Sequence, residues 1–246
     1  MKRGINKYAQ VSIFIIVGVI LVASGMTYYI IKSNNSQKEN LNPNLAPIYS
    51  FVQDCINQIG EDATFEISKT GGYYKLPQYN INNVSYYFYN NKAYIPNKKT
   101  IENQLSLYVN DNLKKCLANF DNFNDFKITG TTIKTTSKIQ DNGILFNVKY
   151  PLTITKENMT YQVSSFEETL DSRFPTMYLS SLELMQQQLN HTKSICLTCL
   201  NDLANKNDFY IEINYPDKKT VIFIILDNKT IVSNKTLIYK FAHDLK

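Results

Sequence analysis

The chain has 246 residues, 43% apolar and 19% charged, so it can bury a core and lacks the composition of a disordered segment. Its formal charge of +5 overstates its basicity: Lys2, Arg3 and Lys7 come before any acid, and the other 23 basic residues face 21 acidic ones. Arginine occurs only at Arg3 and Arg173 and no basic stripe is present, so the electrostatic footprint of a nucleic-acid binder is missing.

Residues 11–31 carry no charge and are mostly Ile, Val, Leu, Phe, Ala and Met. At about 1.5 Å per residue, about 20 such residues cross the ~30 Å hydrocarbon core of a bilayer. This predicts a transmembrane helix over 11–31 after a basic leader at 1–10. The run outlasts the apolar core of a secretory signal, and Tyr28 and Tyr29 fall where an aromatic belt meets the interface. A retained anchor is therefore expected over a signal cut near Ala23-Ser24-Gly25. The charges before the span place the N-terminus in the cytoplasm and the C-terminal region outside, with the lipid bilayer as the first partner.

The stretch Ala9-Gln10-Val11-Ser12-Ile13 resembles the archaeal class III prepilin leader, where a basic segment ends before a Gln-x-Ser-x-Glu start of a hydrophobic helix. Gln10 and Ser12 match, and Phe14 stands where that pattern has Glu. The resemblance implies a filament subunit that assembles with copies of itself through its N-terminal helix. It also implies a pairing of that Glu with a neighbour's N-terminal amine, which Phe14 cannot make. The leader, "QVSIFIIVG", the polar linker after it and an α+β ectodomain together resemble uncharacterised single-span surface proteins of small-genome archaea, which implies a location and no activity.

Residues 32–46 are polar, with Pro43 at their end, and read as a stalk. An extracytoplasmic α+β domain is expected over 47–246. Ile48, Phe51, Val52, Cys55, Ile56 and Ile59 predict a helix within 47–67, ended by Gly71-Gly72. "NVSYYFYNNKAYIP" predicts a hairpin turning at Asn90-Asn91. Thr100 reads as the N-cap of a second helix, with Ile101, Leu105, Val109, Leu113 and Cys116 on its apolar side. Residues 126–170 read as a meander of four strands, with turns at Asn142-Gly143 and at 156–158. Residues 174–204 return to helix with a break near 190–193, and 208–241 hold three strands. "VIFIIL" at 221–226 is placed as a central strand buried on both faces. The fold class is α+β, helices packed on antiparallel sheet, as sub-layers 47–170 and 171–246 or one mixed sheet.

Four cysteines, an even number, favour disulfides outside the cytoplasm. Three pairings are open. Cys55 and Cys116 each lie on an apolar helix face and could meet, leaving Cys196 with Cys199. The Cys196-Leu-Thr-Cys199 motif also fits a redox pair, although such a pair normally opens a helix after a strand and this one follows a helix. A zinc site would need more spaced Cys or His than His191 and His243 supply. No catalytic motif occurs, His191 reads as a surface residue and His243 as part of a frayed chain end. Glu167 and Glu168 are adjacent and would face opposite sides of a strand. Tyr86, Tyr87 and Tyr89 are candidates for an exposed aromatic platform for glycans or peptides. Asn83, Asn158, Asn228 and Asn234 head glycosylation sequons, as do Asn34 and Asn190. The expected protein is a membrane-anchored structural or binding protein of the cell surface, without cofactor, enzymatic site or nucleic-acid partner. Its other partners would be a surface protein, a glycan or copies of itself. The alternatives are a pilin-like subunit and an extracytoplasmic thiol-disulfide oxidoreductase.

Overall fold

The computed structural model describes residues 18–20, 43–191, 194–232 and 235–245. The basic leader, most of the 11–31 span and most of the stalk lie outside them. Among the described residues no helix is long and apolar enough to cross a membrane. The chain divides into two compact units, Met1–Pro47 and Ile48–Lys246. In the first, residues 18–20 are helical and Pro43–Leu45 form a single 3-10 turn. The second holds the helices and sheets of an α+β fold.

Helix α1 (Ala46–Lys69) is the first predicted helix, with Val52, Cys55, Ile56, Ile59 and Ala63 buried along one stripe. It lies on the four-stranded sheet. The Tyr49 and Phe166 rings are 5.0 Å apart, and Gln53 Nε2 donates to Glu167 O at 3.2 Å. Gly60 permits the close approach, because a Cβ there would stand 2.8 Å from the Phe146 ring. The helix ends at Gly71 and Gly72, both with positive φ (75° and 93°), and Gly72 N returns to Ile67 O at 2.9 Å.

The hairpin of β2 (Val84–Tyr89) and β3 (Lys92–Ala93) turns at Asn90-Asn91, as predicted, and β1 (Asn80–Ile81) pairs on β2. Helix α2 (Lys98–Leu117) starts earlier than expected. Its N-cap is Asn97, whose Oδ1 accepts from Thr100 N at 2.8 Å, so Thr100 is a donor inside the first turn and not the cap.

Strands β4 (Lys127–Gly130), β5 (Lys134–Gln140), β6 (Gly143–Lys156) and β7 (Met159–Asp171) form one antiparallel sheet, in which β5, β6 and β7 run as the expected meander while β4 pairs with β6 and not with β5. The 14-residue β6 is its spine. It pairs with β7 on one edge, and on the other with β5 over 143–149 and β4 over 152–155. The register shifts between Lys149 and Leu152, around Pro151, which has no N–H to give the ladder.

The outer edge of β5 would be open, but α2 covers it. Thr135 N donates to Asn110 Oδ1 (2.8 Å), Ser137 N to Ser106 Oγ (2.9 Å) and Ile139 N to Glu102 Oε1 (3.1 Å). The three acceptors follow one another at i, i+4 and i+8 along the helix, and the three donors are alternate residues of the strand. One helix face therefore satisfies the edge, and a pairing edge that invites aggregation is removed.

Helix α3 (Phe174–Gln188) and helix α4 (Leu197–Asn207) flank the expected break, and β8 (Tyr210–Asn214), β9 (Thr220–Val232) and β10 (Lys235–Asp244) follow. The second sheet runs β1-β2-β10-β9-β8 with β3 on β2. "VIFIIL" is an interior strand of it, between β10 and β8, with Val221, Phe223 and Ile225 fully buried and Ile222 nearly so on the opposite face. Strand β2 joins β10 in parallel, so this sheet takes strands from both sides of residue 170, and the sheets do not divide as the sub-layers 47–170 and 171–246. Tyr87 and Tyr239 lock that junction, their hydroxyls 2.7 Å apart and fully buried.

Candidate functional site

The cysteines form two pairs. Cys55 on α1 and Cys116 on α2 have Cα atoms 5.7 Å apart and are bonded across 61 residues. Cys196 and Cys199 are bonded to each other with Cα atoms 5.3 Å apart, and no cysteine among the described residues is free. The first bond clamps the two helices and, in the chain-entropy picture, contributes about 4 kcal/mol. The second sits at the start of α4, where Cys196 is the N-cap and its Sγ accepts from Cys199 N at 3.4 Å. The motif opens α4 and follows α3, so a helix and not a strand precedes it, as the sequence indicates.

The tyrosines are mostly core. Tyr87 is fully buried and Tyr86 is 7% exposed, so neither belongs to an exposed platform. Period-two strand geometry and burial on both faces of β2 account for this. Tyr86 donates to or accepts from Thr220 Oγ1 at 2.9 Å and packs in a cluster with Val84, Ile222 and Ala242. Tyr89 is half-buried and stacks on Tyr79 at 5.1 Å, and Tyr79 lies 4.9 Å from Tyr94. Desolvation raises the Tyr86 hydroxyl pKa, and that of Tyr87 is raised well above its ordinary value.

His243 is no frayed end. It is fully buried on β10, stacked on Phe88 (4.9 Å) and edge-on to Phe223 (6.5 Å), with neither ring nitrogen hydrogen-bonded within the protein. Desolvation lowers its pKa to about 4, with Asp244 opposing weakly, so the ring is neutral at pH 7. Parallel pairing of β10 with β2 buries it, a long-range contact that position in the sequence does not reveal.

Asn83, Asn158 and Asn190 are exposed at turns and Asn228 is exposed on β9, while Asn34 and Asn234 lie outside the described residues. Glu167 is exposed and Glu168 half-buried on opposite faces of β7.

One cleft was not anticipated. It measures about 550 Å³ and lies where the β5–β6 turn (Asp141, Asn142), the β7–α3 junction (Asp171 to Thr176) and β9 (Lys229 to Ile231) converge. Strand β9 reaches it through a bulge. Asp227 pairs with Leu237 and Ile231 with Thr236, so Asn228, Lys229 and Thr230 have no partner on β10. Asp227 Oδ1 accepts from Lys229 N at 3.1 Å and closes the bulge as an Asx turn. Arg173 anchors the opposite wall. Its Nη1 donates to Asp227 Oδ1 (2.5 Å), its Nη2 to Asn207 O, and its guanidinium lies over the Phe209 ring at 4.4 Å. Arg173 N donates to Thr230 Oγ1 at 3.3 Å, and Ser172 N to Asn142 O at 3.1 Å. The walls are thus fixed, with carboxylates (Asp141, Asp171), a cation (Lys229) and hydroxyls (Thr176, Thr230) at the mouth. Lys229 Nζ pairs with Asp208 at 2.5 Å and holds that carboxyl below its ordinary pKa. The cleft lining contains no His or Cys, so the arrangement suits recognition of a polar group better than acid-base or nucleophilic chemistry. One signal in the sequence pointed here: Arg173 is the sole arginine after residue 3.

Among the described residues no group of three or more His, Cys, Asp or Glu could hold a metal ion. No protein-family model, curated protein or solved structure matches the chain.

Proposed function

We propose that the chain is a membrane-anchored extracytoplasmic protein with a structural or binding role, its N-terminus on the cytoplasmic side and residues after the 11–31 span outside. The observation that carries this reading is the pairing of all four cysteines within the chain. Disulfides of this kind persist in oxidising compartments and are rare where glutathione keeps thiols reduced. The uncharged apolar run and the basic residues before it supply the anchor and its orientation. The cleft around Arg173 offers the binding surface, for a polar group on another surface protein, a glycan or a second copy of the chain.

Protease protection of intact cells, alkaline extraction of membranes and non-reducing mass spectrometry of native protein test the reading together. The chain should stay in the alkali-washed membrane, be cut by external protease, retain residues 1–10 and show both cysteine pairs oxidised. Free thiols at Cys55 and Cys116 in native protein, or release by alkali with no lipid attachment, would refute it. Cleavage before Gln10 would replace it with the filament-subunit reading that Gln10 and Ser12 suggest.

A further inference from the structure

We propose that Cys196–Cys199 is an exchangeable disulfide that accepts two electrons from a substrate dithiol, while Cys55–Cys116 is a fixed structural bond. Three features of the site set the pair apart. Cys196 caps an 11-residue helix, and its Sγ receives Cys199 N at 3.4 Å and the Thr198 hydroxyl at 3.6 Å. These are donors for a thiolate, in the part of a helix that favours negative charge. The sulfurs are also unequal: Cys196 is 9% exposed, whereas Cys199 is half-exposed beside Leu197, an apolar side chain 65% open to solvent. Finally, the backbone before the motif is pinned. The fully buried Gln188 accepts from Cys196 N at 3.1 Å and donates to His191 O and Ser194 O at 2.8 and 2.7 Å. The Cys196 side of the bond stays in place whether or not the bond is closed.

Accessibility directs attack to Cys199 and hydrogen bonding makes Cys196 the leaving group. A substrate thiolate attacks Cys199 Sγ. A bond forms between the substrate sulfur and Cys199, the Cys196–Cys199 bond breaks, and its electron pair departs on Cys196 as a thiolate. The second substrate thiolate then attacks the substrate sulfur of the mixed disulfide. The substrate disulfide forms and Cys199 leaves as a thiolate that takes a proton from water. The dithiol loses two electrons and two protons, and the pair gains two electrons. A lower-pKa leaving thiol speeds such exchange.

The test uses the full-length chain in detergent, oxidised and folded, equilibrated with graded glutathione buffers, then alkylated and mapped by mass spectrometry. Cys196–Cys199 should be reduced with an equilibrium constant on the order of 100-fold or more above that of Cys55–Cys116, the separation between exchangeable and structural bonds. The oxidised protein should also convert a synthetic dithiol peptide to its disulfide, one peptide per chain. In Cys199→Ser, absorbance at 240 nm should titrate the Cys196 thiol below the free-cysteine value of about 8.5. Joint reduction of the two pairs, an unreacted peptide, or a Cys196 titration at or above that value would overturn the proposal. The wild-type measurements stand even if the variant fails to fold. None of them depends on where the chain resides, so their failure leaves the anchored reading intact.

Discussion

His243 makes the stability of the fold depend on pH in a window set by one side chain. Its folded pKa of about 4 lies below the ordinary 6.5 because desolvation penalises the imidazolium. For a base whose folded pKa is depressed, the unfolded chain binds the proton first. The contribution is complete above pH 6.5, declines as pH falls toward about 4, and is level below that. The shift corresponds to about 3 kcal/mol in total, of which about 2 kcal/mol is gone by pH 5. The side chain is fully buried between Phe88 and Phe223, so solvent screening does not erode this figure much. Asp208 and Asp217 have pKa values held below 3.8, Asp208 mainly by Lys229 and Asp217 by the Lys219 amide, and their losses fall at lower pH. The assay is urea denaturation of wild type and His243→Phe at pH 7, 6, 5 and 4. The wild-type midpoint should fall steadily across the series. The variant should lose less by about 3 kcal/mol over the same range, because Phe keeps the aromatic stack and removes the titrating group. Parallel curves for the two proteins, with the same loss between pH 7 and pH 5, would refute the reasoning.

Removing the acceptors that cover β5 should expose its edge: Glu102→Ala leaves the buried Ile139 N–H unpaired and should cost about 1–3 kcal/mol by denaturation. The triple change at Glu102, Ser106 and Asn110 should also drive association, visible by light scattering. Arg173→Ala strands Asp227, a carboxylate with no solvent exposure, and should cost about 3–5 kcal/mol, whereas Arg173→Met combined with Asp227→Asn should cost less; thermal unfolding of both variants decides. Gly71→Ala should cost about 1–2 kcal/mol for the left-handed backbone alone, and more because the new methyl would approach Lys240 O at 3.0 Å; chemical denaturation reads the loss.

Most of the fold was legible because local patterns carry it. The α1 stripe, the Asn90-Asn91 and Asn142-Gly143 turns and the apolar run at 221–226 each satisfy a rule within a few residues of chain. The elements that sequence reading missed depend on competition between neighbouring candidates or on partners far along the chain. Asn97 outcompetes Thr100 as N-cap because its carboxamide oxygen reaches both the amide and the hydroxyl of Thr100. Glu102, Ser106 and Asn110 look like ordinary polar positions of a helix until β5, about 30 residues on, is set against them.

The candidate cleft follows the same logic more severely. Arg173 is separated by 54 residues from Asp227 and by 57 from Thr230. The bulge that brings Lys229 and Thr230 to the cleft exists only as a register shift between β9 and β10. A strand carrying Asp-Asn-Lys-Thr after six apolar residues reads as a strand that stops, yet here it continues to Val232. Asp227 makes the continuation possible, since one carboxylate oxygen closes the bulge through Lys229 N and also holds Arg173. The same residue therefore shapes the strand and builds the site. Replacing Asp227 with Leu should remove the bulge and the cleft wall together, whereas Thr176→Val at the mouth should leave the fold intact and alter only what the cleft can hold.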